Sequence, residues 1–133
     1  MKLDEFVKKY NGVKVDYDGY GGCQCVDLYR KYSDEVDGVP QSPALGKDGG
    51  AKDLINKPGA YAVTLESPTV DYASGDILVW GATAKNKYGH VAILVSVFNA
   101  SNFIVFEQDG FKQDGAKFNL RSRENLLGRL RKA

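Results

Sequence analysis

The chain has little of several things: one histidine, one tryptophan, one methionine and two cysteines among 133 residues. Each scarcity excludes something. Any nucleophilic thiol has a single imidazole available to it, His90. Cys23 and Cys25 are separated by one residue, so a disulfide between them would be badly strained and a disulfide framework is excluded. The protein is therefore expected to be made in a reducing cytoplasm, or to work as a free thiol elsewhere. Eighteen basic against seventeen acidic side chains leave a net charge of +1, which argues for neither nucleic acid nor a membrane surface as partner. No stretch approaches the roughly 20 apolar residues of a transmembrane helix. The start, MKLDEFVKKY, is amphipathic and charged, so no signal peptide is expected.

What is present suits one folded domain. Hydrophobic residues make up 43% and charged residues 26%, ordinary for a globular protein. A chain of this length buries roughly 68% of its unfolded surface. The sequence shows no internal repeat, low-complexity run or linker, so residues 1–133 are read as a single domain and a monomer.

Leu3, Phe6, Val7 and Tyr10 share one helical stripe, ended by Asn11-Gly12. A short extended lead-in, Val13 to Val15, follows. From Cys25 to about Val36 apolar residues recur at helical spacing until Asp37-Gly38 and Pro40 stop them. Residues 38–50 are rich in Pro and Gly and read as a surface loop long enough to border a cleft. Ala51 to Asn56 reads as one short helix, and residues 60–74 as irregular or weakly extended. Strand signals then take over at Ile77–Trp80, Val91–Val97, Phe103–Glu107 and Ala116–Leu120, with Leu126–Leu130 a last or frayed strand. Helices first and antiparallel strands after predict an α+β fold.

Residues 16–27, DYDGYGGCQCVD, carry two overlapping signals. Counting Asp16 as position one, Asp18 is three, Gly21 six, Gly22 seven and Asp27 twelve, which follows an EF-hand loop with its side-chain oxygens at one, three and twelve. The match is incomplete. Position five is Tyr20, which has only a main-chain carbonyl to offer, and position twelve is Asp where Glu is usual. The alternative reading makes Asp16 and Asp18 turn formers and Asp27 a first-turn helix residue.

Cys25 stands inside the same stretch, where a helix begins. It reads either as a small buried hydrophobe or as a nucleophile, because a helix N-terminus stabilises a thiolate. His90 follows Gly89 at the mouth of a strand in the second half of the chain. A cysteine and a histidine far apart in sequence and adjacent after folding is the arrangement of thiol hydrolases. A zinc site from Cys23, Cys25 and His90 is disfavoured by the one-residue gap. Glu107 closes the strand after His90's, at the same open end of the hairpin. It shares parity with Phe103 and Val105, so it reads either as a carboxylate on an apolar side, where it would orient His90, or as a solvated strand end. Opposite pairing with His90 would need a turn centred near residues 98–99, whereas the polar tetrad Asn99–Asn102 centres nearer 100–101.

Gly-Cys-Gln-Cys25-Val-Asp-Leu, Gly75-Asp76-Ile-Leu-Val-Trp80, Gly89-His90-Val-Ala-Ile and Phe-Glu107-Gln-Asp109-Gly together resemble the motifs of the CHAP family (cysteine, histidine-dependent amidohydrolase/peptidase). The likeness is greatest to the calcium-binding CHAP domains of bacteriophage endolysins. It runs from about Val15 to Leu120 and implies a papain-like fold and hydrolysis of bacterial peptidoglycan. The activity would be that of an N-acetylmuramoyl-L-alanine amidase or a stem or cross-bridge endopeptidase, acting on the cell wall. The resemblance makes Cys25 the nucleophile, His90 the base and acid, and Glu107 the orienting residue. It implies Ca2+ held by the side chains of Asp16, Asp18 and Asp27 and the carbonyls of Tyr20 and Gly22. Asp109 stands where the family often has Asn, in the catalytic set but in an altered form. The Cys25 amide is the candidate oxyanion donor, with Gln24 second. A non-catalytic wall-binding module and an NlpC-type cysteine peptidase are the competing readings.

Overall fold

A computed structural model describes residues 1–19, 22–40 and 49–133. Two helices, α1 (Leu3–Tyr10) and α2 (Cys25–Tyr32), precede six strands: β1 (Tyr61–Leu65), β2 (Ile77–Trp80), β3 (His90–Asn99), β4 (Asn102–Glu107), β5 (Lys117–Ser122) and β6 (Leu126–Lys132). All strands join one antiparallel sheet in the order β1-β6-β2-β3-β4-β5. The α+β architecture is the expected one.

The helices form where the apolar periodicity predicts. α1 carries Asp4 and Glu5 in its first turn and Lys8 and Lys9 in its last, complementing the helix dipole, and it buries Phe6 and Tyr10. α2 runs on through a π-helical turn, Ser33–Asp37, and stops at Gly38 in the left-handed conformation. Ala51–Ile55 is a 3₁₀ turn.

The core lies on both faces of the sheet. On one face Phe6, Leu28, Tyr29 and Tyr32 pack on Ile77, Val79, Val91, Ile93 and Phe106. On the other, Leu78, Trp80, Ala92, Leu94, Phe103, Val105 and Leu126 form a second cluster, covered in part by Tyr72. β2 is buried along its whole length for this reason, and its unbroken apolar run is the signature of a strand covered twice.

One expectation is corrected and one alternative is decided. Residues 61–65, read as irregular or weakly extended, are the edge strand β1, and Pro68 lies beyond its end. The C-terminal segment is not frayed: β6 inserts between β1 and β2 and pairs with both. Its sequence, LLGRLRK, gives a weak strand signal because burial comes from its position in the sheet. The expected cleft-bordering loop at 38–50 falls mostly on residues 41–48, outside the described residues. Among the described residues no helix is long and apolar enough to cross a membrane.

Phe6 is fully buried and its ring meets those of Tyr10, Tyr32 and Phe106. Phe6→Ala should lower the unfolding free energy by about 3–5 kcal/mol, through lost burial and a residual cavity. Val97, which is 49% exposed, should tolerate Ala within about 0.5 kcal/mol. Urea denaturation of both variants measures the contrast.

Candidate active site

Cys25 is the first residue of α2. Gln24 before it is extended, and its amide donates to Asp27 Oδ2 at 2.9 Å, so Asp27 caps the helix that carries the thiol. Two glutamine side chains hold the loop in front. Buried Gln108 donates to the carbonyls of Val15 and Gln24, each at 2.9 Å, and accepts from the Val15 amide at 2.6 Å. The Gln113 amide group bonds both the N–H and the C=O of Cys23. Gly22 has φ +74°, and a Cβ there would stand 2.1 Å from Gln113 Oε1, so this position requires glycine.

His90 opens β3. Gly89, at φ +74° with no room for a Cβ beside the Trp80 carbonyl, lets the chain turn into the strand. Ile93 pairs with Phe106, which sets Glu107 opposite Ala92, on the same face as His90 and two residues along. Register shifts between Leu94 and Ser96 and between Val97 and Asn99 reconcile this pairing with a turn at residues 100–101. Those bulges are why simple counting from the turn mispositions the two residues. The His90 ring donates from Nε2 to Glu107 Oε1 at 2.9 Å, and Cys25 stands close enough to the ring to raise its pKa. The ring thus has both the thiol and the carboxylate beside it.

Glu107 has only 1% of its side chain exposed. Besides His90, it accepts from Arg121 Nε (2.6 Å to Oε1), Arg121 Nη2 (2.8 Å to Oε2) and Asn119 Nδ2 (3.0 Å to Oε2). Burial pushes His90 down, but the hydrogen bonds and charges of Cys25 and Glu107 outweigh it and hold the ring at about 9. Burial pushes Glu107 up, and its bonds to His90 and Arg121 reverse this and bring it to about 2.

Asp109 lies near enough to the site for its charge to act on Arg121. Its Oδ1 accepts from the amides of Phe111 at 2.8 Å and Lys112 at 3.4 Å, forming an Asx-type turn. Its Oδ1 thus closes a turn, while the hydrogen bonds to Glu107 beyond that of His90 come from Asn119 and Arg121 of β5. The sequence does not mark these two, because β5 is largely exposed on both faces. Phe118 and Leu120 are about half exposed (47% and 52%), while the alternating polar residues Asn119 and Arg121 point to the site. Their shared parity was the available signal, and it reads as a solvent face.

A cleft of about 680 Å³ opens beside His90, walled by Trp80, Asn86, Leu120, Arg121 and Asn125. Trp80 is both core and wall: it is 6% exposed, its indole N–H donates to the Ser122 carbonyl at 3.0 Å, and its ring lies 5.8 Å from that of His90.

Asp16, Asp18 and Asp27 meet, with carboxylate oxygens all within 4.8 Å of one another. Oxygens bound to one calcium at about 2.4 Å are separated by at most about 4.8 Å, so this donor set fits a hard divalent cation. Burial, with the charges of Asp18 and Asp16 added, pushes Asp27 up to about 6 against the opposing Gln24 amide. Such a group gains from a neutralising ion. Gly22 is described and turns the loop there, whereas Tyr20 and Gly21 lie outside the described residues.

Residues 15–109 match the family described as CHAP domain. Endolysin PlyTW of Staphylococcus phage Twort is 32% identical over 98 residues, which cover 71% of this chain and 20% of PlyTW. The crystal structure of wild-type endolysin LysIME-EF1 superposes with a TM-score of 0.77 at 23% identity, over 98% of this chain and 64% of that one. Ly7917 with the hydrolyzing product of MDP superposes at 0.68 and 22% identity, over 94% and 59% of the two chains. Both superpositions show the same papain-like fold. The chain spans a fifth of PlyTW and less than two thirds of each of these two endolysins.

The chain's single histidine makes its titration readable without assignment. Its imidazole NMR signal should titrate near pH 9, and Glu107→Gln should move that midpoint down toward or below the ordinary 6.5. Stability should follow. The raised His90 contributes stability fully below pH 6.5 that is lost as pH rises through about 9. The depressed Glu107 contributes stability above pH 4.5 that is lost as pH falls through about 2. Thermal melts across pH should place the plateau from this pair between 4.5 and 6.5.

Proposed function

The chain belongs to the CHAP domain family, and from that premise we propose that it hydrolyses an amide bond of Gram-positive peptidoglycan by a thiol mechanism. It would act on the cell wall as the catalytic domain of a phage endolysin or tail lysin. One observation carries the mechanism: the only histidine bonds a buried carboxylate at 2.9 Å and stands beside Cys25, whose charge helps to raise its pKa. The endolysin relatives favour a cell-wall substrate, and the hydrolyzing product of MDP held by Ly7917 favours a peptidoglycan fragment.

In this reading Cys25 and His90 react as thiolate and imidazolium. The thiolate attacks the scissile carbonyl, and the Cys25 amide, at the helix start where amides lack intrahelical acceptors, receives the oxyanion. His90 gives its proton to the leaving amine. Neutral His90 then takes a proton from water, whose oxygen releases the acyl group and restores the thiol pair. Glu107 orients the ring throughout. Asp16, Asp18 and Asp27 would hold calcium, with the Gly22 and Tyr20 carbonyls, and its contribution would be order in the turn that presents Cys25. The bond cut is that of an N-acetylmuramoyl-L-alanine amidase or of a stem or cross-bridge endopeptidase. The chain would act as a monomer, without nucleic acid or membrane insertion.

Mass spectrometry of digested peptidoglycan tests the proposal. Cys25→Ala should reduce fragment release by roughly 10³-fold or more. Undiminished wall clearing by that variant would overturn the thiol mechanism, whereas wall binding without fragment release by the unaltered chain would indicate a non-catalytic wall-binding module. The new amino termini name the bond and separate both options from an NlpC-type cleavage. A chelator should slow release and added calcium restore it, whereas equal rates would refute the calcium assignment.

A further inference from the structure

We propose that Arg121 is the positioning residue of the site, a permanent counter-charge whose two-pronged hold keeps Glu107 ionised and aimed while the charge on His90 comes and goes. This rests on the reading of Cys25 and His90 as the reacting pair and extends it to β5.

The reason lies in the proton cycle. Glu107 is almost wholly buried, and a carboxylate in such a place takes up a proton unless a cation faces it. His90 is such a cation only while it is protonated. In acyl transfer it surrenders that proton to the leaving amine, and for part of each turnover Glu107 would face a neutral ring. Asn119 supplies a hydrogen bond but no charge. A guanidinium remains charged at every step.

The geometry suits the role. Arg121 Nε binds Oε1, the oxygen that also meets His90 Nε2, and Nη2 binds Oε2. The fork therefore fixes the plane of the carboxylate as well as its charge. Arg121 is itself held, with its guanidinium over the Trp80 ring at 6.0 Å and Trp80 tied to the Ser122 carbonyl next along β5. The other charged groups near the site do not duplicate it. Lys117 on β5 is paired with Asp114 at 2.8 Å, Asp109 is turned into its own loop, and Cys25 on α2 is the reacting group. Among the described residues Arg121 is the cation other than His90 that bonds Glu107.

The test follows the His90 ring signal by NMR from pH 7 to pH 3 in wild type, Arg121→Gln, Arg121→Lys and Asn119→Ala. His90 stays protonated over this range, so an inflection beyond the wild-type baseline reports protonation of its partner. Arg121→Gln should show a new inflection above pH 4, at least about 100-fold less acid than in wild type, where Glu107 is held at about 2. Arg121→Lys, which keeps the charge but not the fork, should show it at lower pH. Asn119→Ala should match wild type. At pH 7 Arg121→Gln should lower kcat for wall digestion more than it raises KM, with partial recovery in Arg121→Lys. An Arg121→Gln curve that follows wild type to pH 3 overturns the proposal. If Arg121→Gln does not fold, an Arg121→Lys curve without any new inflection overturns it equally. The ring titration needs no substrate, so its failure is distinct from retention of activity by Cys25→Ala, which would defeat the thiol mechanism itself.

Discussion

A carboxylate removed from water organises the second half of this protein. Glu107 is buried at the end of β4 and accepts hydrogen bonds from β3 through His90 and from β5 through Asn119 and Arg121. A buried anion needs every lone pair met and its charge offset. Those demands place three strands relative to one another at one end of the sheet. The same demands set the protonation of the ring, because an anion held down near 2 keeps its imidazole partner up near 9. Structure and chemistry share one interaction.

The next residue extends that control to the thiol. Side chains alternate along an extended chain, so while Glu107 faces His90, Gln108 turns the other way and binds Val15 and Gln24. Val15 leads into the acidic loop and Gln24 leads out of it. The end of β4 therefore holds the histidine with one side chain and the cysteine-bearing loop with the next. Gln113 adds a second grip at Cys23. Asp27 belongs to both systems, capping α2 with one oxygen and lying in the Asp16–Asp18 cluster. Order in the acidic loop and the position of Cys25 are for that reason one property.

The division of labour across the sheet explains how a small domain sustains such a site. The helices cover one face and a second apolar cluster fills the other. The core takes in all of β2 and the first half of β3, and Trp80 is both a member of it and the wall of the cleft. The polar constellation is set at the rim of a rigid, doubly covered sheet, where it is dry enough for strong electrostatics and open enough for access.

Much of this was legible in the residues themselves. The helix stripe of Leu3 to Tyr10, the helix start at Cys25, the lone His90 at a strand mouth and the parity of Glu107 with Phe103 and Val105 are local patterns, and local patterns survive in sequence. So is the spacing of Asp16, Asp18 and Asp27. What sequence could not supply was pairing between distant segments. The bulges in β3 that carry Glu107 to His90, the insertion of β6 between β1 and β2, and the grip of Gln108 on Val15 depend on separations of many residues and leave no periodic trace. Asp109 enters the catalytic set only through the resemblance, at a position where the family often has Asn; here its carboxylate closes a turn and its charge acts on Arg121. Arg121 and Asn119 were hidden because both faces of β5 are largely exposed, so its alternation marks no buried side. The sequence by itself determined which chemistry was available, a thiol, one imidazole and a set of carboxylates. Tertiary structure alone decided which groups meet, because a buried charge recruits its partners through space and not along the chain.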